Sequence, residues 1–432
     1  MITVKHRLLF VIFVVALALR AMFWMDVIGS RAPLRGDEID YHRLAMSLAE
    51  GSGFVGADGE ATAARPPLYP AVLSLIYRLF GAHAAAGRIL QILLGGAIVL
   101  LTYLLARMLA SEAAAFGAAA IATMNPSLVF VSAYLLAENL YTVILLLFLV
   151  LFSGSRWKKP PYLVCALGGV LLGLGSLARP NGFVFALFAV AAVLCLGAGG
   201  WRGRIARAAI LFIGALIALA PWAVRNEARL GRAVLLTTHG GATFYQGNNI
   251  VVWDNKTYHG TVAPLEALPG WKDIESKGEL EADREAWRLG KEFVRAHPLF
   301  AAKMAMWRFE RFWRLRGDAG FSGVKSGWWW DRGKSLGSIA SSFDFVFVFS
   351  IIIMPLFIIG LIATIRRARE LVFLYGIILA HTAASLVFFG SLRSRMPIEP
   401  VVAILAAFGA AHIVRAVRAR FRSEAHQTHF AD

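Results

Sequence analysis

Three carboxylates fall within four positions in Gly36-Asp37-Glu38-Ile39-Asp40-Tyr41, directly beyond a first apolar run. Charged groups near a hydrocarbon boundary are costly to desolvate, so such a cluster either faces water or is held for chemistry. A carboxylate can take a proton, hold a cation or cap a helix. The spacing of Asp37 and Asp40 leaves that last role open, as a cap and acidic first turn of an amphipathic helix over 38–50. Glu138 follows Tyr134-Leu135-Leu136-Ala137 inside an apolar run, where an acid ordinarily faces a cavity or a partner. Arg179, Arg225, Arg393 and Arg395 stand at the ends of other apolar runs. Guanidinium groups there either grip an anion such as phosphate or reach for the headgroup region. Arg20, in the outer half of the first run, is a further cation available to pair with an acid. His239-Gly240-Gly241 and Gly247-Asn248-Asn249 form a small, hydrogen-bonding stretch that is either a turn-rich loop or a contact for a glycan or sugar phosphate.

These residues have to be positioned by a chain of 432 residues that is 58% hydrophobic, with 30 Phe and 12 Trp. Apolar runs of about 20 residues, the length that crosses ~30 Å of hydrocarbon, recur from end to end and predict an all-α polytopic membrane protein. Ten spans are expected, at about 8–28, 88–106, 113–133, 134–153, 161–178, 181–198, 206–224, 344–365, 371–390 and 397–414, and 11–13 remain open. The first is read as a retained helix, since bulky Met22-Phe23-Trp24-Met25 stands where a cleaved signal would carry small residues. With the N-terminus inside, the short inner loops hold Lys5 and Arg7, Arg107, Arg156 to Lys159, Arg202 to Arg207, Arg366 to Arg369 and the basic tail. Most of the +17 formal charge is therefore topology, not a nucleic-acid footprint. Cys165 and Cys195 both lie in apolar runs, so neither a disulfide framework nor a zinc site is indicated. The stretch 66–80 is short for a span and is expected to be re-entrant or interfacial on the outer side.

Three parts follow: an N-terminal transmembrane module, 1–226, containing a first outer loop at 29–87; an outer region lying on the membrane, 227–341; and C-terminal helices with a basic cytoplasmic tail, 342–432. Eight Trp, including Trp328, Trp329 and Trp330, fall in the middle part, as suits a segment at the headgroup boundary. Helices are expected at 279–296 and 299–316, the second interfacial, separated by His297-Pro298. On this topology nearly every unusual polar motif falls at the outer end of a span, which asks for a site at one face of the bundle.

The motifs also recur as an ordered set. Gly-Asp-Glu-x-x-Tyr at 36–41, Arg65-Pro66-Pro67-Leu68-Tyr69-Pro70, Ala137-Glu138, Ala178-Arg179-Pro180-Asn181-Gly182, Pro221-Trp222-x-x-Arg225-Asn226, Gly240-Gly241 with Gly247-Asn248-Asn249, and Arg393-x-Arg395-x-Pro397-x-x-Pro400 are the residues in question. In them the chain resembles the protein O-mannosyltransferase and aminoarabinose transferase group of GT-C glycosyltransferases (glycosyltransferase family 39-like). One departure is Ser394, where many relatives carry Tyr.

The resemblance implies a GT-C-like bundle in the inner (cytoplasmic) membrane. It implies transfer of a sugar from a polyprenyl-phosphate donor to a glycan, lipid or protein acceptor on the extracytoplasmic side, usually with inversion. In that scheme Asp37 is the first choice of base, with Glu38 a close rival. Asp40, Tyr41, Arg65, Tyr69, Arg179, Arg225, Asn226, Asn248, Asn249, Arg393 and Arg395 are the expected substrate contacts. Glu138 and His239 are candidate ligands for a divalent metal ion beside the phosphate, or for positioning the acceptor. Two other classes stay open: a multi-span secondary transporter, which would bind at the bilayer midplane between inverted repeats, and a non-catalytic lipid-binding assembly subunit.

Overall fold

The computed structural model describes residues 4–28, 33–316 and 345–428. The three consecutive Trp at 328–330 and the boundary at 341–342 lie outside the described residues. The chain is all-helical and multi-pass. In order the helices are α1 (Val4–Met22), α2 (Asp37–Ala49), α3 (Leu68–Phe80), α4 (Ala84–Leu109), α5 (Glu112–Met124), α6 (Pro126–Val131) and α7 (Glu138–Leu151). There follow α8 (Tyr162–Ala178), α9 (Asn181–Leu196), α10 (Trp201–Leu230), α11 (Gly240–Gly247), α12 (Ile250–Asp254), α13 (Trp271–Glu275), α14 (Glu279–Ala296) and α15 (Pro298–Trp313). The chain closes with α16 (Phe345–Thr364), α17 (Val372–Val387), α18 (Leu392–Arg395) and α19 (Glu399–Thr428).

The bundle is α1, α4, α5, α7 to α10, α16, α17 and α19, all of which meet expected spans. Two differences from the expected spans bear on the site. The run 113–133 is not one helix: Asn125 turns its side chain to accept from the Ser127 and Leu128 amides, and Pro126 starts α6. The Asn125 amide group also donates to Glu399 Oε2 at 2.8 Å, tying the break to the start of α19. The next run starts its helix only at Glu138, leaving the preceding four residues as a turn. That places Glu138 in the first turn of α7, where the helix dipole favours an anion.

Small residues bring the helices together. A Cβ at Gly360 of α16 would collide with the Leu405 carbonyl of α19, and one at Gly409 with the Leu356 carbonyl, so the two backbones touch directly. Gly169 and Gly173 do the same for α8 against α10. Basic loops gather at one end, where Arg367 donates to the Leu109 carbonyl and Lys5 pairs with Glu112 at 2.6 Å. At the other end a separate apolar cluster, including Tyr245, Val252, Trp271, Ala286 and Met304, lies wholly within 242–307. A third, of Leu44, Phe54, Ala63, Leu177, Leu219 and Trp222, fastens the loop after α2 to the ends of α8 and α10.

Candidate active site

Gly36 precedes α2 with φ of 53°, a left-handed conformation that glycine adopts without strain, and supplies no side-chain cap. Asp37 is thus the first residue of the helix, not its cap, and its carboxylate points elsewhere. Oδ1 accepts from Arg65 Nη2 at 2.7 Å and Oδ2 from Arg393 Nη1 at 2.6 Å. Arg65 also donates to Asp40 Oδ2, at 2.8 Å from Nη2. Arg393 turns its Nε to Glu138 Oε1, which Arg179 reaches as well. Six charges from five separate stretches of chain therefore form one network, three guanidinium groups against three carboxylates. Glu138 is wholly buried, whereas Asp37, Arg65 and Arg393 keep 16–24% of their side chains accessible.

Each partner is placed by ordinary local chemistry. Arg179 caps the C-terminal end of α8, where Pro180 stops the helix from continuing. Arg393 lies on the short helix α18, which the Ser391 hydroxyl caps by accepting from the Ser394 amide at 3.0 Å. Arg65 ends a loop held at several points. Arg225 donates to the Phe54 carbonyl and, at 2.7 Å, to that of Thr62, while Thr237 donates to the Ala64 carbonyl at 2.7 Å. Glu279 accepts from the Thr62 hydroxyl at 2.6 Å, from the Ala63 amide at 2.7 Å and from the Thr238 hydroxyl.

Burial acts to raise the Asp37 pKa, but the Arg393 and Arg65 guanidinium groups outweigh it and hold the carboxyl well below the usual range. Burial, helped by Arg65, pushes His239 down to about 4 despite the nearby Asp37 and Asp40, so at neutral pH its imidazole is uncharged. Burial likewise raises the Tyr41 hydroxyl to about 12.

The other expected contacts divide. Tyr41 lies edge-on to Tyr69 with centroids 5.1 Å apart, and the Arg65 Cζ is 6.0 Å from its ring. Tyr69 is buried one layer deeper, accepting from Gln91 at 2.6 Å. Glu38 turns the opposite way from Asp37: it accepts from the Leu135 amide at 3.0 Å and the Arg35 amide at 3.3 Å, with Arg88 at 3.7 Å. Arg395 pairs with Glu399 at 2.6 Å and donates to the Phe312 and Arg314 carbonyls, two residues and half a turn from the network. Arg225 and Asn226 hold loops, the latter donating to the Val234 carbonyl at 2.8 Å. Asn249 caps α12, and Asn248 accepts from Arg308 at 3.1 Å. Glu279, which the sequence presents as one acid among many on an amphipathic helix, is the positioning residue that reading passes over.

Of the expected metal ligands, Glu138 has its Oε2 without a hydrogen-bond partner among the described residues, and the His239 imidazole is uncharged at neutral pH. Two guanidinium groups already occupy Glu138 Oε1 and would repel a cation, and among the described residues no three His, Cys, Asp or Glu side chains converge as a ligand set. Below the network, one turn from Glu138, Tyr141 opens a narrow slit of about 10 Å³ among α7, α8 and α9, lined by Ile144, Phe148, Leu172, Gly175 and Phe185.

Residues 64–224 match the dolichyl-phosphate-mannose-protein mannosyltransferase family. The recognition made from the motifs stands. That match covers less than half of the chain and carries Arg65, Glu138 and Arg179, with Asp37 and Arg393 lying to either side. No curated protein matches by sequence. Among solved structures, the oligosaccharyltransferase AglB from Archaeoglobus fulgidus, in complex with an inhibitory peptide and a dolichol-phosphate, superposes with a TM-score of 0.53 at 15% identity, over 96% of this chain and 52% of that one. The same enzyme with zinc and sulfate gives 0.53 at 16%, over 96% and 50%. The present chain thus spans about half the length of that protein, and the likeness establishes a GT-C-like fold. ArnT from Cupriavidus metallidurans bound to undecaprenyl phosphate gives a TM-score of 0.43 at 12% identity, over 92% of this chain and 77% of that one.

Proposed function

We propose that this mannosyltransferase-like chain is a membrane glycosyltransferase that moves a sugar from a polyprenyl-phosphate donor to an acceptor on the extracytoplasmic face, with inversion. The observation that carries this reading is Arg393, one guanidinium shared between Asp37 and Glu138. The phosphodiester of the arriving donor, one charge shared over two free oxygens, competes with Asp37 for Arg393 and Arg65, and as transfer proceeds it becomes a phosphate monoester with a second charge and a third free oxygen for the same cations. Asp37, poor as a base while doubly paired, becomes more basic as those cations turn to the phosphate. It then removes the proton of the acceptor hydroxyl as that oxygen attacks the anomeric carbon, and the departing phosphate keeps the charge that Arg393, Arg65 and Arg179 stabilise. Glu138 fixes the Arg179 and Arg393 guanidinium groups and takes no proton. The isoprenoid tail follows the apolar slit under Tyr141, which has to widen by side-chain movement to admit it.

Titratable residues at helix ends, instead of at a midplane break between repeats, favour a transferase over a transporter. The test is to supply purified protein with a panel of polyprenyl-phosphate sugars and follow release of the lipid phosphate. Turnover with one donor, lost by a factor of about 10²–10⁴ in Asp37→Asn at unchanged membrane abundance, is expected. Undiminished turnover in that variant excludes Asp37 as the base.

A further inference from the structure

A second concavity, of about 570 Å³, opens between the corner that follows α10 and one face of α14. Asp283, Trp287, Lys291 and Arg295 recur every four residues and so share a stripe of that helix, with Arg232 facing them. The walls carry five cations against two carboxylates. Arg288 is held by Glu285 and Glu292 at 2.8 and 2.7 Å, and Arg284 by Glu281 at 2.9 Å. Arg232 and Arg295 form no salt bridge among the described residues, and Lys291 Nζ stands 5.1 Å from the centre of the Trp287 ring. Asp283 is already engaged, accepting from the Gly241 amide at 2.6 Å. The half-buried Trp287 indole stacks on Phe244 with centroids 4.8 Å apart, which fixes its orientation.

This hollow adjoins the charged network. A Cβ built on Gly240, next to His239, would stand 3.5 Å from the Trp287 ring, and Glu279, one turn before Asp283, grips the loop that carries Arg65. The N-terminal end of α14 thus adjoins the loop whose Arg65 pairs with Asp37.

We infer that this concavity binds an anionic saccharide, a glycan bearing carboxylate or phosphate groups, as the acceptor of the transfer. Unpaired cations in a concave wall concentrate anions, and a rigid indole offers a flat apolar platform to the face of a sugar ring. Only the word acceptor rests on the glycosyltransferase reading; binding of the saccharide does not.

The experiment measures binding of fluorescein-labelled hexagalacturonate to the full chain in nanodiscs, with labelled maltohexaose as the neutral control. Hexagalacturonate is expected to bind about tenfold tighter, with the advantage shrinking as salt is raised. The double variant Lys291→Ala/Arg295→Ala should weaken hexagalacturonate about fivefold or more while leaving maltohexaose unchanged. Trp287→Leu should weaken both, and thermal unfolding checks that each variant is folded. Equal affinity for the two sugars overturns the inference, as does unchanged binding in the folded double variant. Inorganic phosphate competing as well as hexagalacturonate at equal concentration would overturn its saccharide part. Asp37→Asn separates the two readings: normal probe binding with lost turnover supports both, whereas normal binding with retained turnover removes the catalytic proposal and leaves this one.

Discussion

At the scale of single residues, the decisive property of Asp37 is that its basicity is set by its neighbours. Both carboxylate oxygens are occupied by guanidinium groups, and the pKa lies far below that of an ordinary carboxyl group. Binding of the donor phosphate withdraws Arg393, so the pKa must rise toward the ordinary value of about 4. The acid limb of kcat, which reports the substrate complex, should therefore lie at higher pH than the acid limb of kcat/KM, which reports the free enzyme. Coincident limbs in a pH profile of lipid-phosphate release would contradict the exchange. Arg393→Lys keeps a charge but cannot serve two carboxylates with separate nitrogens, and a fall in kcat of about 10²-fold is expected. His239 gives a stability prediction of definite sign. Burial lowers its pKa from 6.5 to about 4, so below pH 6.5 the unfolded chain binds a proton that the folded one refuses. Stability is lost as pH falls from about 6.5 to 4, and His239→Gln should flatten the Tm against pH in that window.

Among the helices, what was legible in the sequence was what composition and local chemistry encode. The expected helix over 279–296 coincides with α14, and the ten apolar runs meet the ten bundle helices, because length and apolarity are local properties. The Asn125-Pro126 break was written there too, as a cap followed by a helix-starting proline, yet an apolar run masked it. Asp37 and Glu138 stood out because acids next to apolar runs are costly. The split between Asp37 and Glu38, or between Arg393 and Arg395, was not legible. Adjacent helical residues project about 100° apart, and which one meets a partner depends on how α2 and α18 are turned against distant helices. Glu279 escaped for the same reason, its three partners being 41 or more residues away. Glu279→Ala should leave the bundle intact but release the loop bearing Arg65. A raised KM, and faster amide exchange confined to 54–65 and 237–239, are expected; unchanged exchange there would show that Glu279 does not hold it. Gly360→Leu should act differently, preventing α16 from meeting α19 and lowering the folded yield in membranes, as read by detergent gel filtration.

For the whole molecule, the separation of its two ends is the property on which the proposed reaction depends. Basic loops occupy the end where Arg367 meets Leu109, and the charged network and the concavity of α14 occupy the other. If the positive-inside rule sets orientation, Ser276→Cys should react with a membrane-impermeant maleimide added to intact spheroplasts, and Ser111→Cys only after permeabilisation, in a background lacking Cys165 and Cys195. The reverse pattern would put the network on the cytoplasmic side.

Arg308 of α15 is buried without a carboxylate among its hydrogen-bond partners and donates instead to the Leu386, Val387 and Gly247 carbonyls and to Asn248 Oδ1, at 2.7–3.1 Å. One cation thus closes the exposed ends of both α17 and α11. Lifting α15 off the bundle like a hatch would strand four acceptors and a bare guanidinium at once. The roof over this part of the protein is accordingly fastened in place, and traffic of substrates has to run beneath or beside it.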